Sequence, residues 1–160
     1  LQTTEKMLPT SYKVLWEHLP LALGNGVCFS LFYENWACLL TSLLLGWLVD
    51  ADHLFDFFIC VYKKQIELNV HNFLQGQYFR KSHRVILPFH AYEWAVILLL
   101  LSSATLFSDD TRIVLMCGSL SLFCHLFQDQ LANNVHAKGY FIIFRFLKRF
   151  HISAICKQTH

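Results

Sequence analysis

Charge is scarce in this chain: only 15% of its 160 residues are charged, against about 25% in an ordinary soluble domain. With 55% hydrophobic residues and a mean hydropathy of +0.40, the shortfall argues for a membrane protein. The formal net charge of +2 is too small to argue for nucleic acid, and no nucleic-acid partner is expected. Proline is scarce, with 3 residues, which leaves long stretches free to be helical. Six cysteines are present, but none is spaced as CxxC. Most lie in apolar runs and read as buried thiols rather than as a disulfide framework or a zinc knuckle. No GxSxG occurs. The cysteine that adjoins a histidine, Cys124 beside His125, makes a poor nucleophilic dyad, because neighbours on a helix point about 100° apart. The first residues lack the basic-then-apolar order and small-residue cleavage site of a signal peptide. No repeat or low-complexity segment appears, and the length fits one domain, 1–160.

Against this background one stretch stands out. Residues 46–56 end a long apolar run in Asp50, Asp52, His53 and Asp56. Carboxylates in apolar sequence are costly unless paired, protonated or bound to a cation. Three apolar spans are expected, at about 27–49, 89–107 and 112–127, the first interrupted by Glu34. An amphipathic segment at 1–24 precedes them, its helix capped by Thr10 or Ser11, running to about Leu23 and broken by Pro20 and Gly24-Asn25-Gly26. A re-entrant segment near 54–62 is an alternative addition. Asp110 or Thr111 is the expected cap of the third span. Lys63, Lys64, Arg80, Lys81 and Arg84 follow the first span, and a basic tail, 138–160, follows the third. Both fall on one side, which the positive-inside rule makes cytoplasmic. The expected fold is therefore all-α, an integral membrane helical bundle.

That topology brings three polar clusters to one membrane level: Asp50, Asp52, His53 and Asp56 after span one; His83, Arg84, His90 and Glu93 at the start of span two; His125 and Asp129 at the end of span three. His90 and Glu93 are three apart, and His125 and Asp129 four apart, so each pair shares a helical face, with the second helix starting near Pro88. Pairs of imidazole and carboxylate ligands on facing helices are how bundles build metal centres. The candidate metal ligands are Asp50, Asp52, His53, His83, His90, His125 and Asp129, for a divalent ion such as zinc, manganese or magnesium. The candidate catalytic residues are Asp52, Arg84 and Glu93, with Arg84 as a bidentate partner for a phosphate oxygen. His18, His71, His136, His151 and His160 read as surface residues.

The order Gly46…Asp50-Ala51-Asp52-His53, His83-Arg84, His90…Glu93-Trp94, Gly118…His125-Leu126…Asp129, then the apolar run from Tyr140 to Phe144 closed by Arg145, resembles the membrane-bound metal-dependent hydrolases, also described as LexA-binding, inner-membrane-associated hydrolases. The resemblance covers about residues 46–150. It implies a helical hydrolase of the bacterial inner membrane, with Asp50, Asp52, His83, His125 and Asp129 as the positions carried over. A phosphoester, free or lipid-linked, is the expected substrate, and membrane lipid the expected surrounding partner. A non-catalytic membrane protein that binds a metal or a partner protein is the alternative, and a soluble buried bundle is a third reading. One geometric expectation follows from spacing alone. Residues two apart on a regular helix lie about 200° apart, so Asp50 and Asp52 meet one metal only if the helix ends or bends between them.

Overall fold

The computed structural model describes residues 16–133 and 135–156. Among these the regular elements are helices, and extended backbone pairs at two isolated bridges, Arg84 with His151 and Val135 with Cys156. Helix α1, Leu19–Tyr33, has Pro20 in its first turn, where a missing N–H leaves no intrahelical bond unmade. It stops at Glu34, which adopts a left-handed conformation with φ 53°. The Asn35 side chain then accepts from the Ala37 N–H at 3.0 Å, and α2, Ala37–Gly46, runs back along α1. The stretch 27–49 is therefore a helical hairpin rather than one span. The turn at 34–36, marked in the sequence by Glu34, is where the chain reverses.

Gly24-Asn25-Gly26 does not break α1: Gly26 is buried where the hairpin needs a small residue, while a Cβ at Gly24 would meet nothing within 4 Å. Ala22, Gly26 and Ser30 are buried on α1, and Cys38, Ser42 and Gly46 on α2, each set spaced by four. A Cβ added at Gly26 would lie 2.9 Å from Ser42 Cβ, and one at Gly46 would lie 3.0 Å from Ala22 Cβ. Such stripes allow helix backbones to approach closely. The Ser42 hydroxyl bonds the Ala22 carbonyl at 2.7 Å and meets Ser121 Oγ, also at 2.7 Å. Asn25 Nδ2 bonds Ser121 Oγ as well. Thr10 and Ser11, the expected start of the first helix, lie outside the described residues.

Three short helices follow: α3, His53–Tyr62; α4, Val70–Leu74; α5, Gln77–Ser82. Next come α6, Tyr92–Ser102, and α7, Asp109–Ala132, and finally α8, Ile142–Leu147. The α7 cap is the Ser108 hydroxyl, accepting from the Thr111 N–H at 3.4 Å, rather than Asp110 or Thr111. At 24 residues, α7 is about 36 Å long. Among the described residues it is the one helix long and apolar enough to cross a membrane. Helices α1, α2 and α6 have 15, 10 and 11 residues and are too short to do so alone.

The four bundle helices alternate in direction. The start of α1, the end of α2, the start of α6 and the end of α7 therefore meet at one end, where α3, α4, α5 and α8 pack. Val49, Tyr92, Ala95, Leu122, Leu126 and Tyr140 form the core at this junction. Phe57, Cys60, Tyr78, Phe79 and Leu87 form a second core beyond it. Large apolar side chains face outward: Phe32 is 81% exposed and Leu100 65%, while Leu31, Leu40, Leu44 and Leu99 are also exposed.

Gly26→Val is expected to destabilise the bundle by about 1–3 kcal/mol through overpacking against α2. Thermal unfolding of detergent-purified protein measures this, and a Tm equal to the wild type would contradict the close approach.

Candidate metal centre

The segments meeting at this end bring polar side chains from the turn after α2, the loop before α6 and the last turns of α7. After α2 the backbone tightens into a 3-10 turn, Leu48–Asp52, before α3 begins at His53. Asp50 and Asp52 thus do not sit on one regular α-helix, as the spacing argument required. Both turn toward the same imidazole from different sides: His90 Nε2 lies 3.0 Å from Asp50 Oδ1, and His90 Nδ1 lies 2.8 Å from Asp52 Oδ1. The second contact is close enough for charge pairing but is not aligned as a hydrogen bond.

His90 does not share a helical face with Glu93. Helix α6 begins at Tyr92 rather than near Pro88, and His90 is on the preceding loop. Hydrogen bonds from two directions fix that loop. The Asp56 carboxylate accepts from the Ile86 and Leu87 N–H groups at 2.9 and 3.3 Å, and Asp52 accepts from the Phe89 N–H at 3.0 Å. From the other side Arg145 donates to the Ile86, Leu87 and His90 carbonyls at 2.7, 2.9 and 2.6 Å. Leu87 is held at φ 38°, a left-handed conformation that a branched side chain adopts only when its surroundings impose it.

From α7, His125 and Asp129 project one turn apart, both buried. His125 Nδ1 lies 3.2 Å from the Gly46 carbonyl. A carbonyl only accepts, so Nδ1 is the donor in this contact, and the ring's other nitrogen, Nε2, faces the cluster. That Nε2 lies 3.2 Å from His90 Nε2, 3.5 Å from Asp50 Oδ1 and 3.8 Å from Asp129 Oδ2. His90 Nε2 lies 3.7 Å from Asp129 Oδ2. Asp50, His90, His125 and Asp129 thus converge one ligand atom each, all within 4.8 Å of one another. Asp52, His53 and His90 form a second such group. Asp50 Oδ2 is buried with no hydrogen-bond partner.

The electrostatics follow from this crowding. Burial opposes an imidazolium at His90, but the Asp52 and Asp50 carboxylates outweigh it and push His90 up to about 10. Burial would raise Asp50, yet the His125 and His90 rings hold it well below the usual carboxylate range. Asp56 behaves oppositely. Burial pushes it up to about 6, against the partial help of the Ile86 and Leu87 N–H groups. Burial and the neighbouring His90 hold the His53 imidazole down.

The sequence expectations fare unevenly. Asp50, Asp52, His53, His90, His125 and Asp129 are brought together. His83 and Arg84 are not: His83 ends α5 in a left-handed conformation, both are exposed, and Arg84 pairs its backbone with His151. The Arg84 backbone N–H and carbonyl are bonded locally to the Ser82 hydroxyl. Glu93 turns away as well and accepts from the Ile143 N–H at 3.1 Å. His18, expected at the surface, is 2% exposed and lies 3.2 Å from Asp129 Oδ1 through Nε2, with Nδ1 3.2 Å from Gln128 Oε1. No local spacing announces it, since its partners are over a hundred residues away. Arg145, counted in the basic tail, is 1% exposed. It did carry a signal, a single charge in the apolar run 140–147, the same anomaly that singled out Asp50.

An apolar cavity of about 290 Å³ borders the centre, with Asp50, His53, His90 and Asp129 in its wall. Comparison with protein-family models, curated proteins and solved structures finds no match to this chain.

Asp56 gives a pH prediction. A carboxyl at about 6 when folded and about 3.9 when unfolded holds its proton more tightly in the native state. Its contribution is complete below about pH 4 and is lost as pH rises through about 6, by on the order of 3 kcal/mol. Asp56→Asn keeps an oxygen for Ile86 and Leu87 and removes this loss. The Tm advantage of Asp56→Asn over the wild type should therefore grow between pH 4 and pH 6.5. A difference that is flat with pH would refute it.

Proposed function

We propose that this chain is a membrane-embedded, metal-dependent hydrolase of phosphoesters, with its centre at the headgroup level of the basic side. The observation that carries the reading is the convergence of two imidazole nitrogens and two carboxylates within 4.8 Å of one another, with each imidazole nitrogen 3.0–3.8 Å from the other and from both carboxylates. Four ligands at about 2.0–2.1 Å from a tetrahedral ion lie about 3.3 Å apart, and the mixed nitrogen and oxygen set favours zinc over magnesium. The orphaned Asp50 Oδ2 and the surplus of buried carboxylates fit a cation in the same place.

Membrane embedding is supported by the inverted surface of the bundle, with small and polar residues inside and leucines and phenylalanines outside. Only 39% of the most apolar window of α7 is buried within the chain. Basic residues at 63–84 and 138–149 belong to the segments at the centre's end of the bundle, as the positive-inside rule places cytoplasmic loops. The order of the motifs, which resembles the membrane-bound metal-dependent hydrolases, points the same way.

In this reading Asp50, His90, His125 and Asp129 hold the ion. The Gly46 carbonyl and Asp52 orient the two imidazoles by their remaining nitrogens. The ion supplies Lewis acidity, which brings water to nucleophilic strength near neutral pH. His53 lines the cavity, pinned through Nδ1 to the Tyr78 hydroxyl at 2.8 Å, with Nε2 3.8 Å from Asp50. It takes the proton of the attacking water and returns it to the leaving oxygen. Water oxygen bonds to phosphorus, the bond from phosphorus to the substrate alkoxy oxygen breaks, and an alcohol and phosphate leave. One observation favours a second reading, a metal-binding protein without turnover: four protein donors close a site as structural zinc sites are closed. The cavity at the wall of the centre argues for an open side.

Elemental analysis of detergent-purified protein should find about one zinc per chain, lost at least tenfold in Asp50→Ala and His125→Ala. Asp52→Asn should weaken metal affinity by about 10–100-fold. Hydrolysis of p-nitrophenyl phosphate should follow metal content across the series and drop in His53→Ala with its metal retained. Near-zero metal in every protein ends the metal reading, and metal without turnover selects the alternative. Recovery in the soluble fraction without detergent removes the membrane.

A further inference from the structure

The cavity beside the centre is more specific than a hydrolase of soluble phosphoesters needs. Beyond the His and Asp groups its wall is dominated by apolar side chains, including Leu48, Leu54, Phe79, Leu87, Ile152 and Ile155. Of the other polar side chains in it, Arg145 gives its terminal nitrogens to three backbone carbonyls, and Asn133 donates to the Tyr140 hydroxyl at 3.3 Å within the wall. The charged carboxylates and imidazoles of the wall are those of the centre. Its volume of about 290 Å³ is at the small end of ligand sites, about 300–1,000 Å³. That is room for one chain segment and not for a whole lipid.

The position of the mouth adds an independent point. Leu48, Ala51 and Leu54 line the cavity and are also exposed, Leu48 at 44% and Leu54 at 39%. Close by, Phe55 and Phe58 are exposed too. A polar substrate arriving from water gains nothing from an apolar entrance, whereas a hydrocarbon chain arriving from a bilayer passes through it without desolvation cost.

We propose that the substrate is a chain-bearing phosphoester of the membrane, whose hydrocarbon chain enters between Leu48 and Leu54 and fills this cavity while its phosphate meets the His and Asp centre. The assignment rests on the hydrolase reading for the phosphate end. The chain end is carried by the cavity alone.

Binding of butyl, hexyl and octyl phosphate, with inorganic phosphate as the chain-free probe, is measured by calorimetry on protein held in amphipol. Affinity should rise severalfold over the series, at most about fourfold per buried methylene. Leu54→Trp should flatten the series with metal content unchanged, and Leu48→Trp, at the other exposed leucine of the mouth, repeats the test should the first variant fail to fold. Asp50→Ala should weaken every member alike and leave the slope. A series with no slope in the wild type, inorganic phosphate binding as tightly as octyl phosphate, or an equal slope in both tryptophan variants overturns the proposal. A slope that survives while no variant changes metal content upholds the chain site and rejects the metal reading, so the two failures are distinct.

Discussion

Four buried carboxylates govern the architecture at the functional end of this protein. Asp50, Asp52, Asp56 and Asp129 are each 5–6% exposed, and among the described residues Arg145 is the one buried side chain with a permanent positive charge. A buried carboxylate demands protonation, a hydrogen-bonded donor set or a cation. The chain uses the first two and has the side chains for the third. Asp56 is held toward its neutral form and binds backbone N–H groups. Asp52 accepts from Phe89 and faces His90. Asp50 and Asp129 face a set of imidazoles whose geometry suits an ion.

Seen this way, the loop 85–91 is the keystone. It has no regular structure, yet its N–H groups are taken by Asp52 and Asp56 and its carbonyls by Arg145. Residues from the opening acidic stretch and from α8 thus hold His90 in place across about 40 and 55 positions of sequence. The small-residue stripes of α1 and α2 serve the same end from below. By letting the hairpin close tightly on α7, they bring Gly46 within reach of His125.

Much of this was legible from pattern. The anomaly of charge in apolar sequence located Asp50, Asp52 and Asp56, and the four-residue spacing placed His125 and Asp129 on one face of α7. The helical class followed from composition. The errors share a cause. The 27–49 stretch looked like one span because hydropathy does not register direction, and a turn of Glu34, Asn35 and Trp36 inside apolar sequence changes mean hydropathy little. His90 and Glu93 looked like a facial pair because a three-residue spacing was applied before the helix had begun. His83 and Arg84 were selected by their place just before the second apolar span, and placement along the chain carries no information on which way a loop turns.

The sequence by itself determined that the chain is helical, where its apolar segments lie and which residue types must find partners once buried, because these depend on composition and on periods of a few residues. Only the tertiary structure decided which partners they find. His18 reaches Asp129, Arg145 reaches the loop before α6, and Gly46 offers its carbonyl to His125. Those choices depend on how the four bundle helices alternate and how closely small residues let them approach. Contacts between positions about 55–110 residues apart leave no periodic trace in the chain that makes them.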